Sequence, residues 1–215
     1  MASASSLVRN LAKAFRLVRR GQVADLRYQL WNKWRGLDFE AVSVDDLGLP
    51  RDRAHFHSSS GGPTLARVFK SLDISAGSMA LDLGSGKGGA ACTLSAVGFA
   101  QVLGVELSVE LIEVARRNVA RLGLRNVRFV QGDAGAFSDY DRVTHIYMYN
   151  PFPCEVVQQV LANLGSSLQR VPRPLTIVYR NPLCHDTIVA SGLFDAGNAS
   201  HPDEHVWRVY HRRRS

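Results

Sequence analysis

The sequence has no long apolar stretch. Nowhere does it reach the roughly 18 consecutive apolar residues that a membrane-spanning helix requires, and arginine interrupts the apolar positions near the start of the chain. This pattern excludes both a membrane-spanning helix and the apolar region of a secretory signal. We therefore expect a protein that works inside the cell, in the cytoplasm.

Cysteine is scarce and irregularly spaced. The 215 residues include three cysteines, Cys92, Cys154 and Cys184, without a CxxC pair. An odd number at such spacing argues against a disulfide framework and against a structural zinc site. We expect reduced thiols and no metal centre.

Acidic residues are nearly absent from the first 36 positions. This segment carries eight lysines or arginines and a single acid, Asp25, so it holds the whole formal net charge of +7. A nucleic-acid enzyme more often spreads its cations over the face that carries the site. The distribution therefore disfavours a nucleic-acid partner.

Residues 7–20 form a basic amphipathic pattern. Leu7, Leu11 and Phe15 fall on one side at helical spacing, and the arginines fall on the other. Such a helix suits an anionic membrane surface and predicts a peripheral membrane protein. Packing on its own domain or on a second protomer is one alternative, and a mitochondrial presequence that directs the chain to the matrix is another.

From residue 79 onward, short apolar strands alternate with helices. Strands are predicted at 79–83, 102–106, 127–131, 144–149, 175–179 and 206–210, and helices at 89–97, 109–122 and 155–168. The alternation predicts an α/β fold with a doubly wound, mostly parallel sheet of seven strands and ligands at the carboxyl ends of the strands. The last strand is expected to be antiparallel, paired with one near Leu193. We assign 1–52 to a basic helical extension and connector, and 53–215 to the main domain.

A glycine-rich turn, Asp82-Leu-Gly-Ser-Gly-Lys-Gly-Gly89, follows the first strand. It contains GxGxxG, so an NAD(P) site is one interpretation, with Glu106 placed for a ribose hydroxyl. Asp82 argues against that interpretation because its carboxylate would repel a pyrophosphate. S-adenosylmethionine has no phosphate and carries an ammonium group, so the same carboxylate becomes favourable. Lys87 does not complete a phosphate-binding Walker pattern, since Gly88 follows it.

Four motifs resemble those of class I S-adenosylmethionine-dependent methyltransferases, and especially those of small bacterial members. The turn is similar to the first motif, and the others are Gly104-Val-Glu106-Leu-Ser, Gln131-Gly-Asp133-Ala134 and Tyr149-Asn150-Pro151-Phe152. The resemblance implies a Rossmann-like fold, S-adenosylmethionine as cofactor and S-adenosylhomocysteine as product. The cofactor-binding residues that it implies are Asp82, Gly84, Ser85, Gly86, Gly88, Glu106, Leu107, Asp133, Ala134 and Thr64.

The last of these motifs is expected to face the substrate. In amino-methylating members the asparagine accepts hydrogen bonds from the target amine and the aromatic ring packs on the substrate, so a nitrogen nucleophile is slightly favoured over oxygen. The alternative is that Asn150 only turns the chain. Among the candidate bases, His55, His145 and His185 rank behind His57, which completes the catalytic set Asn150, Pro151, Phe152 and His57.

The motifs indicate the type of acceptor group and not the identity of the substrate. We expect an amine or a hydroxyl group, carried by a small molecule or by a protein. Two alternative functions are an NAD(P)-dependent oxidoreductase of the Rossmann type and a non-catalytic module that binds a cofactor or a membrane.

Overall fold

The computed structural model describes residues 23–42 and 60–213. The predictions for residues 7–20, His55 and His57 lie outside the described residues. The helices are α1 (Val23–Trp34), α2 (Pro63–Lys70), α3 (Gly89–Val97), α4 (Val109–Leu122), α5 (Cys154–Arg170) and α6 (His185–Ala190). The strands are β1 (Met79–Leu83), β2 (Gln101–Glu106), β3 (Val127–Gln131), β4 (His145–Tyr149), β5 (Thr176–Arg180), β6 (Asn198–Ser200) and β7 (Trp207–His211).

The strands form one sheet in the order β3-β2-β1-β4-β5-β7-β6. Strands β1 to β5 are parallel to one another, and β7 runs antiparallel to both β5 and β6. This topology confirms the predicted fold class, a mostly parallel sheet of seven strands with an antiparallel last strand. Because β1 lies at the centre, the turn that follows it lies between the ends of β2 and β4.

The expected partner of the last strand was wrong in position. Strand β6 lies at Asn198–Ser200 and not near Leu193. Phe194 forms only an isolated bridge, with Arg212, and its side chain is buried in the core. The prediction placed this strand near the apolar Leu193, but β6 is an exposed edge strand. Its position depends on its pairing with β7 and not on an apolar pattern of its own.

Each face of the sheet is covered by its own apolar layer. On one face, α5 and α6 pack with residues that include Val157, Leu164 and Ile188. On the other face, α2, α3 and α4 contribute residues that include Phe69. Leu37 also belongs to this second layer, so part of the predicted N-terminal extension packs on the domain.

The helix ends show why the predicted helix bounds were close. Ser108 caps α4 by accepting a hydrogen bond from the backbone N–H of Leu111, and Gly123 ends that helix with φ of 67°. Gly88 begins α3 in the left-handed conformation, and Gly98 ends it. No helix within residues 23–42 and 60–213 is both long enough and apolar enough to cross a bilayer.

Candidate functional site

The predicted site residues lie at or just beyond the carboxyl ends of neighbouring strands, along one edge of the sheet. Asp82 lies in β1, Glu106 ends β2, Asp133 follows β3 and Asn150 follows β4. These four strands are parallel and adjacent. Their carboxyl ends therefore bring together residues that are far apart in sequence, at the edge where sheets of this kind bind ligands.

The glycine-rich turn adopts backbone conformations that favour glycine. Gly84, Gly86 and Gly88 have φ values of 73°, 52° and 79°. A Cβ atom on Gly84 would stand 2.4 Å from the Cβ of Pro151. The turn therefore contacts the predicted substrate loop directly, and only a residue without a side chain permits this approach.

Replacing Gly84 by alanine should destabilise the protein, because the new methyl group meets Pro151 and the backbone is left-handed. The left-handed conformation alone costs roughly 1–2 kcal/mol, and the contact adds to it. Urea unfolding measures the loss. Gly123→Ala, with φ of 67° and no neighbour within 4 Å, should show only the backbone cost, and Gly77→Ala, with neither constraint, should be nearly neutral. Equal losses at Gly84 and Gly123 would contradict the contact.

Asp82 is a buried carboxylate that lacks a full set of partners. It is 2% exposed, and its Oδ2 atom is buried without a hydrogen-bond partner. Burial, with repulsion from Glu106 as the smaller cause, raises the pKa of Asp82 from 3.8 to about 7, and the backbone N–H of Ala91 opposes this rise. A ligand that brings a positive charge or a hydrogen-bond donor to Oδ2 would relieve the cost of this burial.

Glu106 differs from Asp82 because both of its oxygens are engaged. Oε2 accepts a hydrogen bond from the backbone N–H of Gly86 at 2.8 Å, and Oε1 accepts one from Ser108 at 3.0 Å. Burial raises the pKa of Glu106, and these backbone hydrogen bonds oppose the rise. Glu106 thus holds the glycine turn in place and keeps further acceptor capacity, since a carboxylate oxygen accepts more than one hydrogen bond.

The third predicted motif lies beside Glu106. The backbone N–H of Gly132 donates to the Glu106 carbonyl at 2.9 Å, and Asp133 Oδ1 accepts from the N–H of Gly135 at 2.8 Å. Ala134 is buried, whereas Asp133 and Leu107 are half-buried. The segment is therefore a fixed turn at the end of β3, next to the second carboxylate.

Two predicted cofactor contacts have different surroundings. The Ser85 hydroxyl, within the turn, is buried without a hydrogen-bond partner. The Thr64 hydroxyl instead donates to Oδ2 of Asp25 at 3.0 Å, which ties it to α1. The segment before α2 is held against α3, because the N–H of Gly62 donates to Thr93 Oγ1 at 2.9 Å.

Lys87 has a structural partner. Its Nζ atom lies 2.7 Å from Oδ1 of Asp38, and the lysine side chain is 8% exposed. Asn118 joins the same contact by donating to the carbonyl oxygens of both residues. Lys87 therefore links the segment after α1 to the glycine turn.

The predicted substrate loop begins with a strained asparagine. Asn150 has a φ of 40°, and its Oδ1 accepts a hydrogen bond from the Tyr179 hydroxyl at 3.5 Å. Asn181 repeats the arrangement after β5, with a φ of 53° and a following proline. Phe152 is 3% exposed and lies in the core beneath the loop. The loop thus offers the Asn150 backbone and amide at the edge, and its aromatic ring points into the protein.

A disulfide links the segments that follow the two asparagines. Cys154 begins α5, Cys184 precedes α6, and the two are bonded with a Cα–Cα distance of 5.4 Å. The expectation of reduced thiols is therefore wrong for these two residues. Their separation of 30 positions gave no signal in the sequence, because β4 and β5 become neighbours only in the sheet. Cys92 is a free, buried cysteine.

Sequence reasoning missed a polar cluster around Arg180. The guanidinium carbon lies 4.1 Å from the ring centre of Tyr149 and 5.3 Å from that of Trp207. Nη2 lies 2.9 Å from Oδ2 of Asp203, and Nε is buried without a partner. The Tyr149 hydroxyl lies 2.8 Å from Nε2 of His205. We name these five residues the Arg180 cluster. Tyr149 belongs to the fourth motif, but Asp203, His205 and Trp207 lie in no motif that would have singled them out.

Two of the candidate bases lie away from the turn. His145 begins β4 at the opposite edge of the sheet, where it pairs with Ala80. Burial lowers the pKa of His145 to about 4. The Nδ1 atom of His185 lies 3.0 Å from the hydroxyl of Tyr210, a buried residue of β7. His205 was not among the candidate bases, yet its imidazole contacts Tyr149, the last residue of β4.

Residues 80–171 match a family model described as a methyltransferase domain. A protein-L-isoaspartate O-methyltransferase of Thermotoga maritima is 34% identical over 139 residues, which span 61% of this chain and 41% of that relative. This chain thus covers less than half of its length.

Two solved structures share the fold. An RNA methyltransferase of Salinibacter ruber, in complex with S-adenosylhomocysteine, has a TM-score of 0.55 at 18% identity, covering 73% of this chain and 94% of its own. An S-adenosylmethionine-dependent methyltransferase of Aquifex aeolicus has a TM-score of 0.54 at 20% identity, covering 68% and 88%. At these identities the likeness concerns the fold.

Proposed function

We propose that this chain is a class I S-adenosylmethionine-dependent methyltransferase that transfers a methyl group from S-adenosylmethionine to a nitrogen or oxygen nucleophile. The observation that carries the proposal is the unpaired, buried oxygen of Asp82 beside a turn of left-handed glycines. S-adenosylhomocysteine is the second product, and nitrogen remains slightly favoured over oxygen because of Asn150.

The residues at the edge of the sheet fit this cofactor. The ammonium of its methionine part would satisfy Asp82, directly or through water. Glu106 would accept hydrogen bonds from the ribose hydroxyls, and Asp133 with Ala134 would bind the adenine. Gly84, Gly86 and Gly88 have no side chains that would keep the cofactor from the backbone of the turn, and Ser85 adds a hydroxyl without a hydrogen-bond partner. When bound, the cofactor supplies a methyl group on a sulfonium, which is already a good leaving group.

The same residues disfavour a dinucleotide. Asp82 places a buried carboxylate beside the turn, where a pyrophosphate would have to bind. Lys87, the cation within the turn, is paired with Asp38. A phosphate group would therefore meet the like charge of Asp82, which disfavours the oxidoreductase alternative.

The substrate side of the proposal rests on the Asn150 loop. Proline fixes the chain after Asn150, and the Tyr179 hydroxyl orients its side-chain oxygen. We propose that Asn150 accepts hydrogen bonds from the nucleophile and aligns it with the methyl group, since alignment supplies much of the rate of a methyl transfer. Pro151 and Phe152 support this loop, Phe152 from inside the core.

A base is needed only for a nucleophile that carries a proton at the moment of attack. His57 remains our proposal for that role. His205 is a second candidate, because its imidazole contacts the Tyr149 hydroxyl one residue before Asn150. Because one relative is an O-methyltransferase, we also propose an oxygen nucleophile, on a small molecule or on a protein, as the alternative to nitrogen.

Location and domain division are proposals of the same kind. We propose a cytoplasmic protein, with peripheral membrane association through residues 7–20 or, alternatively, a mitochondrial presequence in that segment. The division into 1–52 and 53–215 is retained as a working boundary. Mass spectrometry of the N-terminus of the protein purified from its native cells distinguishes an intact segment from a removed presequence.

Calorimetric titration tests the cofactor. S-adenosylhomocysteine and NADH are titrated in parallel into the same protein, and we expect heat of binding only with the first. Binding of NADH alone would overturn the proposal. A product assay that detects S-adenosylhomocysteine, run with pooled metabolites, peptides and lipids, then identifies the acceptor and separates an enzyme from a binding module.

Removing the Asn150 side chain should lower turnover far more than cofactor affinity. Asn150→Gly is the sharper variant, because glycine tolerates the φ of 40° whereas alanine adds backbone strain. With the acceptor found in the pooled assay, we expect turnover to fall about tenfold or more, since alignment by a hydrogen bond to the nucleophile is lost. Calorimetry with S-adenosylhomocysteine should show little change. Equal losses of affinity, turnover and melting temperature would favour a purely structural role in the turn.

A further inference from the structure

Helix α1 packs on the domain with a largely polar face. Asn32 is 6% exposed, and Asp25 accepts the hydrogen bond from Thr64. Tyr28 lies over Gly62, where a Cβ atom would stand 2.9 Å from its ring. Most amphipathic helices of globular proteins bury their apolar stripe against the core. Helix α1 buries polar groups instead.

The outward face of α1 is apolar and aromatic. Val23, Leu30, Trp31 and Trp34 are 48%, 60%, 42% and 80% exposed. At 3.6 residues per turn, these residues and Arg27 fall within an arc of about 100°. We name the five residues the α1 stripe. The other large apolar residues that are exposed in the described chain lie on four separate segments; they are Val109, Val130, Val171 and Leu183. The α1 stripe is therefore where exposed apolar side chains cluster, and such a cluster typically marks an interaction site.

Three exposed cations lie in or beside the α1 stripe. Arg27 lies within it, Arg35 flanks it, and Lys33 flanks it with its Nζ 3.6 Å from Oε1 of Glu40. The Arg35 guanidinium lies 5.3 Å from the ring centre of Trp31. The single acid of the first 36 residues, Asp25, is turned inward to Thr64. The outward face of the helix therefore combines tryptophan and leucine with positive charge.

We propose that the α1 stripe binds the surface of an anionic membrane, with α1 lying in the plane of the interface. Tryptophan side chains favour the headgroup level of a bilayer, and arginine and lysine are attracted to anionic lipids. A second copy of the chain is a poorer occupant, because packing two stripes together would bury Arg27 of both copies among apolar side chains without a partner for its charge. The proposal does not rest on methyl transfer, and the basic segment before α1 has matching chemistry.

Vesicle sedimentation of the full-length protein tests this proposal. Vesicles of phosphatidylcholine mixed with phosphatidylglycerol are compared with vesicles of phosphatidylcholine alone. We expect sedimentation with the anionic vesicles, release by added salt because screening weakens the attraction of the cations, and little binding to the neutral vesicles. Equal binding to both kinds of vesicle, or to neither, would overturn the proposal.

The double variant Leu30→Ser/Trp34→Ser separates the α1 stripe from the rest of the chain. Both side chains are exposed, so folding should be retained, and thermal melting checks it. We expect vesicle partitioning to weaken roughly tenfold or more, because the apolar area that enters the interface is lost. Leu183→Ser, at a leucine that is 68% exposed elsewhere on the surface, is the matched control and should sediment like the parent protein.

Two outcomes would reject the α1 stripe as the membrane contact. In the first, the double variant sediments like the parent, and only removal of residues 1–22 abolishes binding, which would assign the contact to that segment. In the second, light scattering without vesicles shows a dimer that the double variant converts to a monomer, which would identify the stripe as a protomer interface. Weakened sedimentation of a protein whose oligomeric state is unchanged would support the proposal.

Discussion

Replacing Asp82 by asparagine should weaken binding of S-adenosylhomocysteine about tenfold or more at pH 8 and, at the same pH, stabilise the ligand-free protein. The loss of affinity follows from the loss of a charged hydrogen-bond acceptor, which typically contributes about 1.5–3 kcal/mol. The gain in stability follows because a neutral amide replaces a buried carboxylate that has an unpaired oxygen. Calorimetry and urea unfolding measure the two effects separately.

The pH dependence gives this prediction its sign. Asp82 has a pKa of about 7 in the folded protein and 3.8 without burial. Between these values the folded state holds a proton that the unfolded state has lost, so the contribution of Asp82 to the free energy of unfolding falls as pH rises. The fall is about 1.4 kcal/mol per pH unit. The advantage of Asp82→Asn should therefore be small near pH 3.8, grow until about pH 7 and then stay level.

Glu106→Gln is the contrasting control. Both oxygens of Glu106 accept hydrogen bonds from backbone N–H groups, so in the variant the amide nitrogen must face one of these donors. The variant should therefore be destabilised.

The affinity of the parent protein for S-adenosylhomocysteine should also fall as pH drops through about 7, because Asp82 gains its proton. Stability that changes in parallel with pH for Asp82→Asn and the parent protein would contradict the assignment of a buried, proton-binding carboxyl.

Replacing Asp203 by asparagine should be among the most destabilising single changes in the domain. The side chains of Arg180 and Asp203 are 12% and 9% exposed, with their atoms 2.9 Å apart. Without its partner, the guanidinium stays buried between the rings of Tyr149 and Trp207. Breaking a buried ion pair from one side costs about 3–5 kcal/mol, and urea unfolding measures this loss.

An exposed ion pair of the same length serves as the control. Arg170 and Asp141 also lie 2.9 Å apart, but their side chains are 54% and 37% exposed. Asp141→Asn should cost far less than Asp203→Asn, because solvent screens an exposed ion pair. The pair Arg180→Met with Asp203→Asn should recover much of the loss, because no uncompensated charge remains. Equal costs at Asp203 and Asp141 would contradict a buried ion pair.

A second Asp203 variant tests the Arg180 cluster. Oδ1 of Asp203 accepts hydrogen bonds from the backbone N–H of His205 at 2.8 Å and from Nε1 of Trp207 at 2.9 Å. Asp203→Asn keeps an Oδ1 acceptor, so Asp203→Ala is the variant for this test. Loss of both contacts should free the segment before β7 and release His205 from Tyr149. Faster amide hydrogen exchange in residues 201–206 of the folded variant measures this release.

The sequence by itself determined the elements whose signals are local. Apolar runs between turn residues predicted β1 to β5 within one residue at either end, and α3 and α4 had the predicted bounds. Their caps, Ser108 and the glycines, lie next to the elements that they end. The site motifs were recognisable for the same reason, since parallel strands place whatever follows them at one edge of the sheet.

Only the tertiary structure decided the contacts between segments distant in sequence. The disulfide of Cys154 and Cys184, the pair of Lys87 with Asp38, and β6 depend on which strands and loops become neighbours. The Arg180 cluster likewise joins the ends of β4 and β5 to the segment before β7. Periodicity and composition report which side of an element is buried. They do not report which residue of another element lies against it, because that depends on the pairing of the whole sheet.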